Sequence, residues 1–140
     1  MKRFREETIP DLKQTIERYQ GKEVYGMALG DITWDRMDLF TPYKEAVSVL
    51  GIPMFSVIGN HDHDLRYPAL SNQKVTEESY AERIYEDHFG PYNYSFNVGD
   101  AHIITLKDID YYKDKKYDER FGKEQLEWLK NDLSLSLIHI

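Results

Sequence analysis

Two apolar runs, each ending in glycine followed by polar residues, constrain the fold of this chain more than any other feature of its sequence. Residues 24–31 form an apolar run that ends in Gly-Asp, and residues 54–62 form another that ends in Gly-Asn-His-Asp. Residues 41–50, which lie between them, have the apolar spacing of a helix. A strand, a helix and a second strand within about thirty residues are typical of a βαβ unit, whose two strands are parallel. We therefore predict an α/β fold in which both polar ends lie at the carboxyl edge of one sheet, where open α/β sheets bind ligands.

The side chains at this edge are suited to metal binding and proton transfer. Neighbouring strands of a sheet lie about 4.8 Å apart, so Asp31 and Asn60 are expected to lie close enough to hold one metal centre. The carboxylate of Asp31 can bridge two cations, and the amide oxygen of Asn60 is a neutral hard ligand. The imidazole of His61 beside them can transfer a proton near neutral pH.

Composition narrows the class of protein and of partner. The 140 residues, 41% hydrophobic and 31% charged, are enough for one globular domain with a core. A net charge of −7 argues against a nucleic-acid partner, although bound divalent cations would still allow an anionic substrate. Without cysteine the chain cannot form a disulfide or a thiolate metal site. No apolar run reaches the roughly 20 residues of a membrane span, and the cellular compartment stays open.

Helical spacing predicts further elements around the βαβ unit. Residues 1–20 are predicted to be helical: Thr8 is expected to cap a helix with Pro10 in its first turn, and residues 2–7 are the candidate for a separate helical turn. Thr41 is predicted to cap the helix of the βαβ unit, and another helix is expected from residue 79 to the Gly-Pro pair at residues 90–91.

The C-terminal half is predicted to contain a hairpin, a loop and a helix. Alternating apolar and polar residues indicate a strand at residues 93–98, and the Gly-Asp turn that follows it predicts a returning strand at residues 101–106. Residues 108–120 are predicted as a charged loop, and residues 123–133 as a final helix. That helix is expected to bury three leucines: Leu126, Leu129 and Leu133.

The glycine-centred motifs resemble those of a known family. Gly-Asp at residues 30–31, followed by Gly-Asn-His-Asp at residues 59–62, is similar to the second and third motifs of the calcineurin-like metallophosphoesterases. Residues 121–129 also look like the helix that follows the central hairpin in that family, and the resemblance covers nearly all of residues 20–133. It implies an α/β/β/α sandwich with two metal ions at the strand ends, and an enzyme that hydrolyses phosphate esters.

By this resemblance, four residues have roles in the site. Asp31 would bridge two divalent metal ions (Mn, Fe, Zn or similar), and Asn60 would bind the second of them. His61 would lie near the leaving-group oxygen as a general acid or phosphate contact, and Asp62 would orient His61 through a hydrogen bond. The implied reaction is the in-line attack of a metal-activated water on a small-molecule phosphate mono- or diester.

Several motifs of the family have no counterpart in this sequence. These are the Asp-x-His strand before the first helix, a later lone histidine and a Gly-His-x-His motif. The resemblance therefore implies that residues 1–134 are a partial catalytic domain, an internal fragment truncated at both ends with an incomplete metal site. Residues 135–140, Leu-Ser-Leu-Ile-His-Ile, match the translation of a common library adapter and are predicted to be a non-native tail. The hydrolase activity is therefore expected of the intact parent protein, and this fragment alone is expected to be inactive. The alternatives are a noncatalytic fragment that binds metal weakly or not at all, and a plain α/β binding module.

Other polar residues have ordinary structural interpretations. Asp35 and Asp108 are expected to be solvated loop acids, with a position facing the site as the alternative for Asp108. His63 is expected to be a surface histidine, with a substrate contact as its alternative. His88 is expected to pack on a helix face, and His102 to be structural. The tyrosines of the charged loop are expected to be partly buried, with a substrate-binding lip as the alternative: Tyr111, Tyr112 and Tyr117.

Overall fold

The computed structural model describes residues 1–63, 78–112 and 116–136. The helices in this part are α1 Ile9–Glu17, α2 Phe40–Ser48, α3 Glu78–Phe89 and α4 Lys123–Leu135. A π-helical turn at Phe4–Thr8 leads into α1, and 3₁₀ turns occupy Met37–Leu39 and Asn60–Asp62. The strands are β1 Gly26–Leu29, β2 Met54–Val57, β3 Tyr94–Val98, β4 Ala101–Thr105, β5 Ile109–Tyr112 and β6 Lys116–Glu119. Within these ranges no helix is both long enough and apolar enough to cross a membrane.

The two strands predicted on either side of the central helix pair in parallel. The register joins Gly26 to Met54 and Leu29 to Val57, and α2 connects the strands. The predicted βαβ unit and the α/β fold are therefore confirmed. Burial along β1 differs from that expected of a buried parallel strand, because Leu29 is 81% exposed at the carboxyl end of the strand, where it lines an open cleft.

Helix α2 lies between two apolar clusters formed by the described residues. Its residues Tyr43 and Val47 pack with Ile9 of α1 in one cluster. Phe40, at its first residue, packs with Tyr85 of α3 in the other cluster, and the two fully buried rings meet edge to face with centroids 6.3 Å apart. Burying one large apolar side chain contributes about 1.5–3 kcal/mol, so the two clusters together fix α2 and the strand ends that it connects.

Neither of the threonines predicted as helix caps has that role. Thr8 already has helical dihedral angles and makes no capping hydrogen bond, because the chain is helical ahead of α1. At α2 the cap position is Leu39, and Thr41 lies inside the helix with its Oγ1 3.3 Å from Nε2 of His88. Both helical stretches therefore begin before the threonine that was predicted to cap them.

The predicted β3–β4 hairpin is confirmed, and it packs against β2. The hydroxyl of Tyr94 donates to the carbonyl oxygen of Ser56 at 2.8 Å and accepts the N–H of the same residue at 3.1 Å. Phe96 stacks on Phe55 with ring centroids 3.9 Å apart. The hairpin thus covers β2 with aromatic rings and satisfies the backbone of one of its residues.

Residues predicted as a charged loop form a second antiparallel hairpin, β5–β6, so that prediction is wrong. Asp110 and Asp118 lie opposite each other in it, an arrangement that destabilises a strand pair when both are charged. Arg120 offsets the repulsion, since its Nε lies 2.8 Å from Asp110 and its Nη1 3.7 Å from Asp118. Lys107 lies 3.2 Å from Asp110 as a second cation. Strands held together by charged pairs lack the alternation of apolar and polar residues by which a strand is predicted from sequence.

Helix α4 docks through a polar side chain where apolar contacts were expected. Gln125 is buried, and its Nε2 donates to the carbonyl oxygen of Lys107 at 2.8 Å. Leu126 and Leu133 are exposed, so the prediction that they are buried is wrong, whereas Leu129 is half-buried. The buried face of the helix is therefore rotated by one residue from the face that its leucines indicate.

Candidate active site at the ends of the parallel strands

The two loops that leave β1 and β2 meet at their glycines. A Cβ atom on Gly59 would lie 2.5 Å from Oδ1 of Asp31 and 3.1 Å from Cα of Gly30. A side chain essentially never tolerates the shorter of these distances, so glycine is required at this contact. Asp31 itself has a φ of 52°, a left-handed conformation that is uncommon outside glycine. The backbones of the two motifs are therefore in direct contact.

Asp31 and Asn60 line the same open cleft. This cleft has a volume of about 570 Å³ and is also lined by Asp108 and Glu119. Oδ1 of Asp31 accepts the N–H of His61 at 3.1 Å, which ties the first loop to the second. The structure thus brings the two predicted ligands to one carboxylate-lined surface at the ends of the parallel strands.

Asp62 is fully buried and joins the two loops. Its Oδ1 accepts the N–H of Ile32 at 2.9 Å, and its Oδ2 accepts the N–H of Gly59 at 2.9 Å. The pKa of Asp62 is raised to about 6: burial is the largest cause, the backbone hydrogen bonds oppose it, and the charge of Asp31 adds to it. The structure places the carboxylate of Asp62 on the loop backbones instead of on the predicted hydrogen bond to the ring of His61.

The ring of His61 is held by two consecutive residues of the first loop. Nδ1 of His61 lies 2.8 Å from Oδ1 of Asp35, and the indole of Trp34 stacks on the imidazole with centroids 4.0 Å and planes 15° apart. The N–H of Asp35 also donates to the carbonyl oxygen of His61 at 3.0 Å. The prediction that Asp35 is a solvated loop acid is wrong, since its side chain is only 21% exposed and contacts the imidazole.

Sequence reasoning missed Asp35 because its position depends on the backbone conformation of the loop. Trp34 and Asp35 have φ values of 50° and 62°, which are left-handed for two successive residues that are not glycine. The only signal in the sequence is a second aspartate four residues after Asp31. Aspartate is common in loops of every kind, so that signal does not specify a contact with His61.

The match to a family covers the site and nearly the whole chain. The family model for calcineurin-like phosphoesterases matches residues 5–139. The chain belongs to the calcineurin-like phosphoesterase family. The resemblance found in the sequence is confirmed, and the mixture of helices and strands agrees with the α/β fold of that family. Comparisons with curated proteins and with solved structures find no match.

Calcineurin-like phosphoesterases are generally metal-dependent, and the described residues fit part of a metal site. The carboxylate of Asp31 and the amide of Asn60 are hard oxygen donors of the kind that divalent ions take. Across residues 1–63, 78–112 and 116–136, no group of three or more histidine, aspartate or glutamate side chains could hold a metal ion. This part of the phosphoesterase therefore presents two candidate ligands and not a complete two-metal set.

Three other histidines in the described part of this calcineurin-like phosphoesterase belong to its framework. His63 is buried, and its Nδ1 donates to the carbonyl oxygen of Gly59 at 2.9 Å, so the expected surface position is wrong. His88 packs against an aromatic ring of α2 with centroids 5.5 Å apart, as predicted. His102 bridges the hairpin to α4, with its Nε2 2.7 Å from Oδ2 of Asp132, which is the position of a structural residue.

Two predictions for this phosphoesterase concern residues that are only partly described. The side chains of Tyr111 and Tyr112 lie outside the described part, whereas Tyr117 lies exposed on β6. Helix α4 includes Leu135, the first residue of the predicted tail, and residues 137–140 lie outside the described ranges. The non-native tail stays a prediction.

Proposed function

We propose that this protein is a metal-dependent phosphoester hydrolase that acts on a small-molecule phosphate mono- or diester. The observation that carries the proposal is the position of two candidate oxygen ligands, Asp31 and Asn60, on one open cleft, with the backbone N–H of His61 donating to the first of them. Phosphate esters are anions and the protein has a net charge of −7, so substrate binding depends on cations that reverse the charge of the cleft.

Asp31 and Asn60 are the proposed ligands for divalent ions of the Mn, Fe or Zn type. Bound divalent ions lower the pKa of a water molecule and neutralise charge on phosphoryl oxygens. Asp31 is oriented because its Oδ1 accepts the N–H of His61, which leaves Oδ2 for a cation. Asn60 begins the 3₁₀ turn that follows Gly59, so the contact between the glycine loops also sets the position of its amide.

His61 is the proposed general acid or phosphate contact at the leaving-group oxygen. Its Nδ1–H points at the carboxylate of Asp35, so Nε2 is the ring nitrogen that can exchange a proton with substrate. Trp34 covers one face of the imidazole and restricts the movement of the ring. A positioned acid of this kind contributes about 10²- to 10⁴-fold to a rate.

Asp62 is proposed as a residue that positions the site and not as a proton donor. Its two oxygens hold the N–H groups of Ile32 and Gly59, one from each loop. This bridge supports the proposed ligands Asp31 and Asn60 from the buried side, since each ligand is adjacent to a bridged residue in sequence.

A metal-binding module without catalysis is the second candidate. The number of candidate ligands favours it, because within the described ranges no group of three or more acidic or histidine side chains could hold a metal ion. A two-metal mechanism needs more ligands than Asp31 and Asn60 supply.

Calorimetric titration with Mn²⁺ and hydrolysis of p-nitrophenyl phosphate and bis(p-nitrophenyl) phosphate separate the two candidates. The hydrolase candidate requires Mn²⁺ to bind and to support hydrolysis of at least one ester, and Asp31→Asn to lose both properties. Asp100→Asn removes the same charge from an exposed turn and is expected to change neither.

The remaining outcomes are also decisive. Mn²⁺ binding that depends on Asp31 without hydrolysis of either ester would replace the enzyme by the binding module. Mn²⁺ binding that is absent, or unchanged in Asp31→Asn, would overturn the proposed site.

A further inference from the structure

Trp34 combines features that burial in the core does not explain. The residue is 65% exposed, although its indole stacks closely on the imidazole of His61. Its backbone is left-handed, with a φ of 50°, a conformation that strains a bulky residue. An exposed indole held in a strained conformation at a candidate acid is a feature of the site and not of the core.

The contacts around Trp34 fix its position. On the C-terminal side, Asp35 is bonded to the ring and to the carbonyl oxygen of His61. On the N-terminal side, the hydroxyl of Thr33 donates to the carbonyl oxygen of Arg36 at 2.7 Å, which closes the turn over the tryptophan. The indole is thus held against His61 by its neighbours, and binding there costs little additional ordering.

We propose that Trp34 binds the leaving group of the substrate by stacking, so the preferred substrate is a phosphate ester with a planar aromatic leaving group. The inference rests on the proposed role of His61 at the leaving-group oxygen. The imidazole covers one face of the indole, and the residue is 65% exposed, so a group attached to that oxygen beside the imidazole would have the uncovered part of the indole as its aromatic neighbour. Two classes of phosphate ester carry a planar aromatic group on the leaving-group side: aryl esters and nucleotides.

The expected preference follows from the energy of aromatic contacts. Stacking of two aromatic rings favours binding by about three- to tenfold beyond the area that they bury. A phosphate ester with a saturated ring of similar size buries similar area but has no aromatic face, so it isolates this effect. Phenyl phosphate and cyclohexyl phosphate form such a pair.

The test is the affinity of the full chain for these two esters in the presence of Mn²⁺, measured by titration calorimetry. We expect phenyl phosphate to bind about three- to tenfold more tightly than cyclohexyl phosphate. Trp34→Ala is expected to remove the difference, and Trp34→Phe to keep most of it. A Trp128→Phe background leaves Trp34 as the single indole, whose fluorescence phenyl phosphate should quench more than cyclohexyl phosphate.

A second pair, adenosine 5′-monophosphate and ribose 5-phosphate, distinguishes the two classes. A preference for the nucleotide that disappears in Trp34→Ala assigns a nucleobase to the indole, and a preference only for phenyl phosphate assigns an aryl group. Equal binding of the planar and saturated esters, or a preference that survives in Trp34→Ala, would overturn the inference alone. If no ester binds, the inference and the proposed function fail together.

Discussion

The carboxylate of Asp35 lies 2.8 Å from Nδ1 of His61, and the N–H of the same aspartate donates to the carbonyl oxygen of that histidine. One residue of the first loop therefore fixes both the ring and the backbone of the histidine on the second. In the proposed reaction this contact selects Nε2 as the nitrogen that faces the substrate.

The two loops are also joined by a reciprocal pair of carboxylate contacts. Asp31 of the first loop accepts the N–H of His61 on the second, and Asp62 of the second accepts the N–H of Ile32 on the first. Hydrogen bonds to charged groups contribute about 1.5–3 kcal/mol each, which is more than neutral ones. The loops are therefore expected to move as one unit.

Replacing Asp35 by Asn should impair catalysis more than substrate binding. The amide does not attract the Nδ1 proton as the carboxylate does, so we expect kcat to fall about tenfold or more while KM changes little. The ¹⁵N shifts of the His61 ring, which report the protonated nitrogen, should show a mixture of tautomers.

The control for Asp35 is Asp38→Asn, because Asp38 is a nearby acid whose carboxylate is held by Arg36. We expect the control to retain kcat and a single His61 tautomer. Equal effects of the two substitutions would show that charge near the loop, and not the contact with the ring, matters.

Gly59→Ala should destabilise the protein. The new Cβ would lie 2.5 Å from Oδ1 and 2.6 Å from the backbone nitrogen of Asp31, so the loops must separate. Overpacking of this kind costs about 1–3 kcal/mol, which urea unfolding would measure as a lower midpoint. At Gly122 a Cβ meets nothing within 4 Å, so Gly122→Ala should cost less. Equal costs at the two glycines would contradict the close approach of the loops.

How far the sequence predicts this fold depends on the type of signal. The parallel pair was predictable because two apolar runs end in the same way, and the β3–β4 hairpin because Tyr94 and Phe96 alternate with polar residues. The β5–β6 hairpin was not predictable, because its strands contain carboxylates that pair with Arg120. Hydropathy alone indicates a solvated loop for such charged residues. Spacing of Leu126 and Leu133 indicated the existence of α4 but not its buried face, which Gln125 occupies through hydrogen bonds.

The candidate site also contains residues that the sequence predicts and residues that it does not. Asp31 and Asn60 were predictable, since their positions follow from strand ends and parallel pairing. Asp35 and Trp34 were not, because left-handed dihedral angles place them, and neither residue is glycine, the type that most often adopts such angles. His63 is buried, and its ring is hydrogen-bonded to the carbonyl oxygen of Gly59 within the same turn. Composition does not indicate a local contact of this kind.

Tyr94→Phe should destabilise the protein by about 1–3 kcal/mol, because it leaves the N–H and carbonyl oxygen of Ser56 without their partner. Urea unfolding measures this cost. Tyr25→Phe is the matched control, since Tyr25 contacts Phe55 in the same aromatic cluster and no hydrogen bond of its hydroxyl appears among the described contacts. A cost for Tyr94→Phe no larger than the control would mean that water replaces the tyrosine hydroxyl.

The stabilisation provided by Asp132 should depend on pH in the acid range. The hydrogen bond from Ser95 is the largest cause of a lowered pKa of Asp132, burial opposes it, and His102 lowers the pKa further. A carboxylate with a lowered folded-state pKa contributes stability above its unfolded pKa of about 3.9, and that stability is lost as the pH falls through the folded value.

Asp132→Asn should therefore cost about 1–3 kcal/mol at pH 7 and progressively less below about pH 4, measured by urea unfolding across this range. Asp87→Asn, at an exposed position of α3, should show no such dependence. The difference between Asp132→Asn and the unmodified chain reports the carboxylate together with its contact to His102, because groups away from this contact that titrate in acid are common to both proteins. A difference that stays constant from pH 7 to pH 3 would mean that Asp132 stabilises α4 through the shape of its side chain and not through its charge.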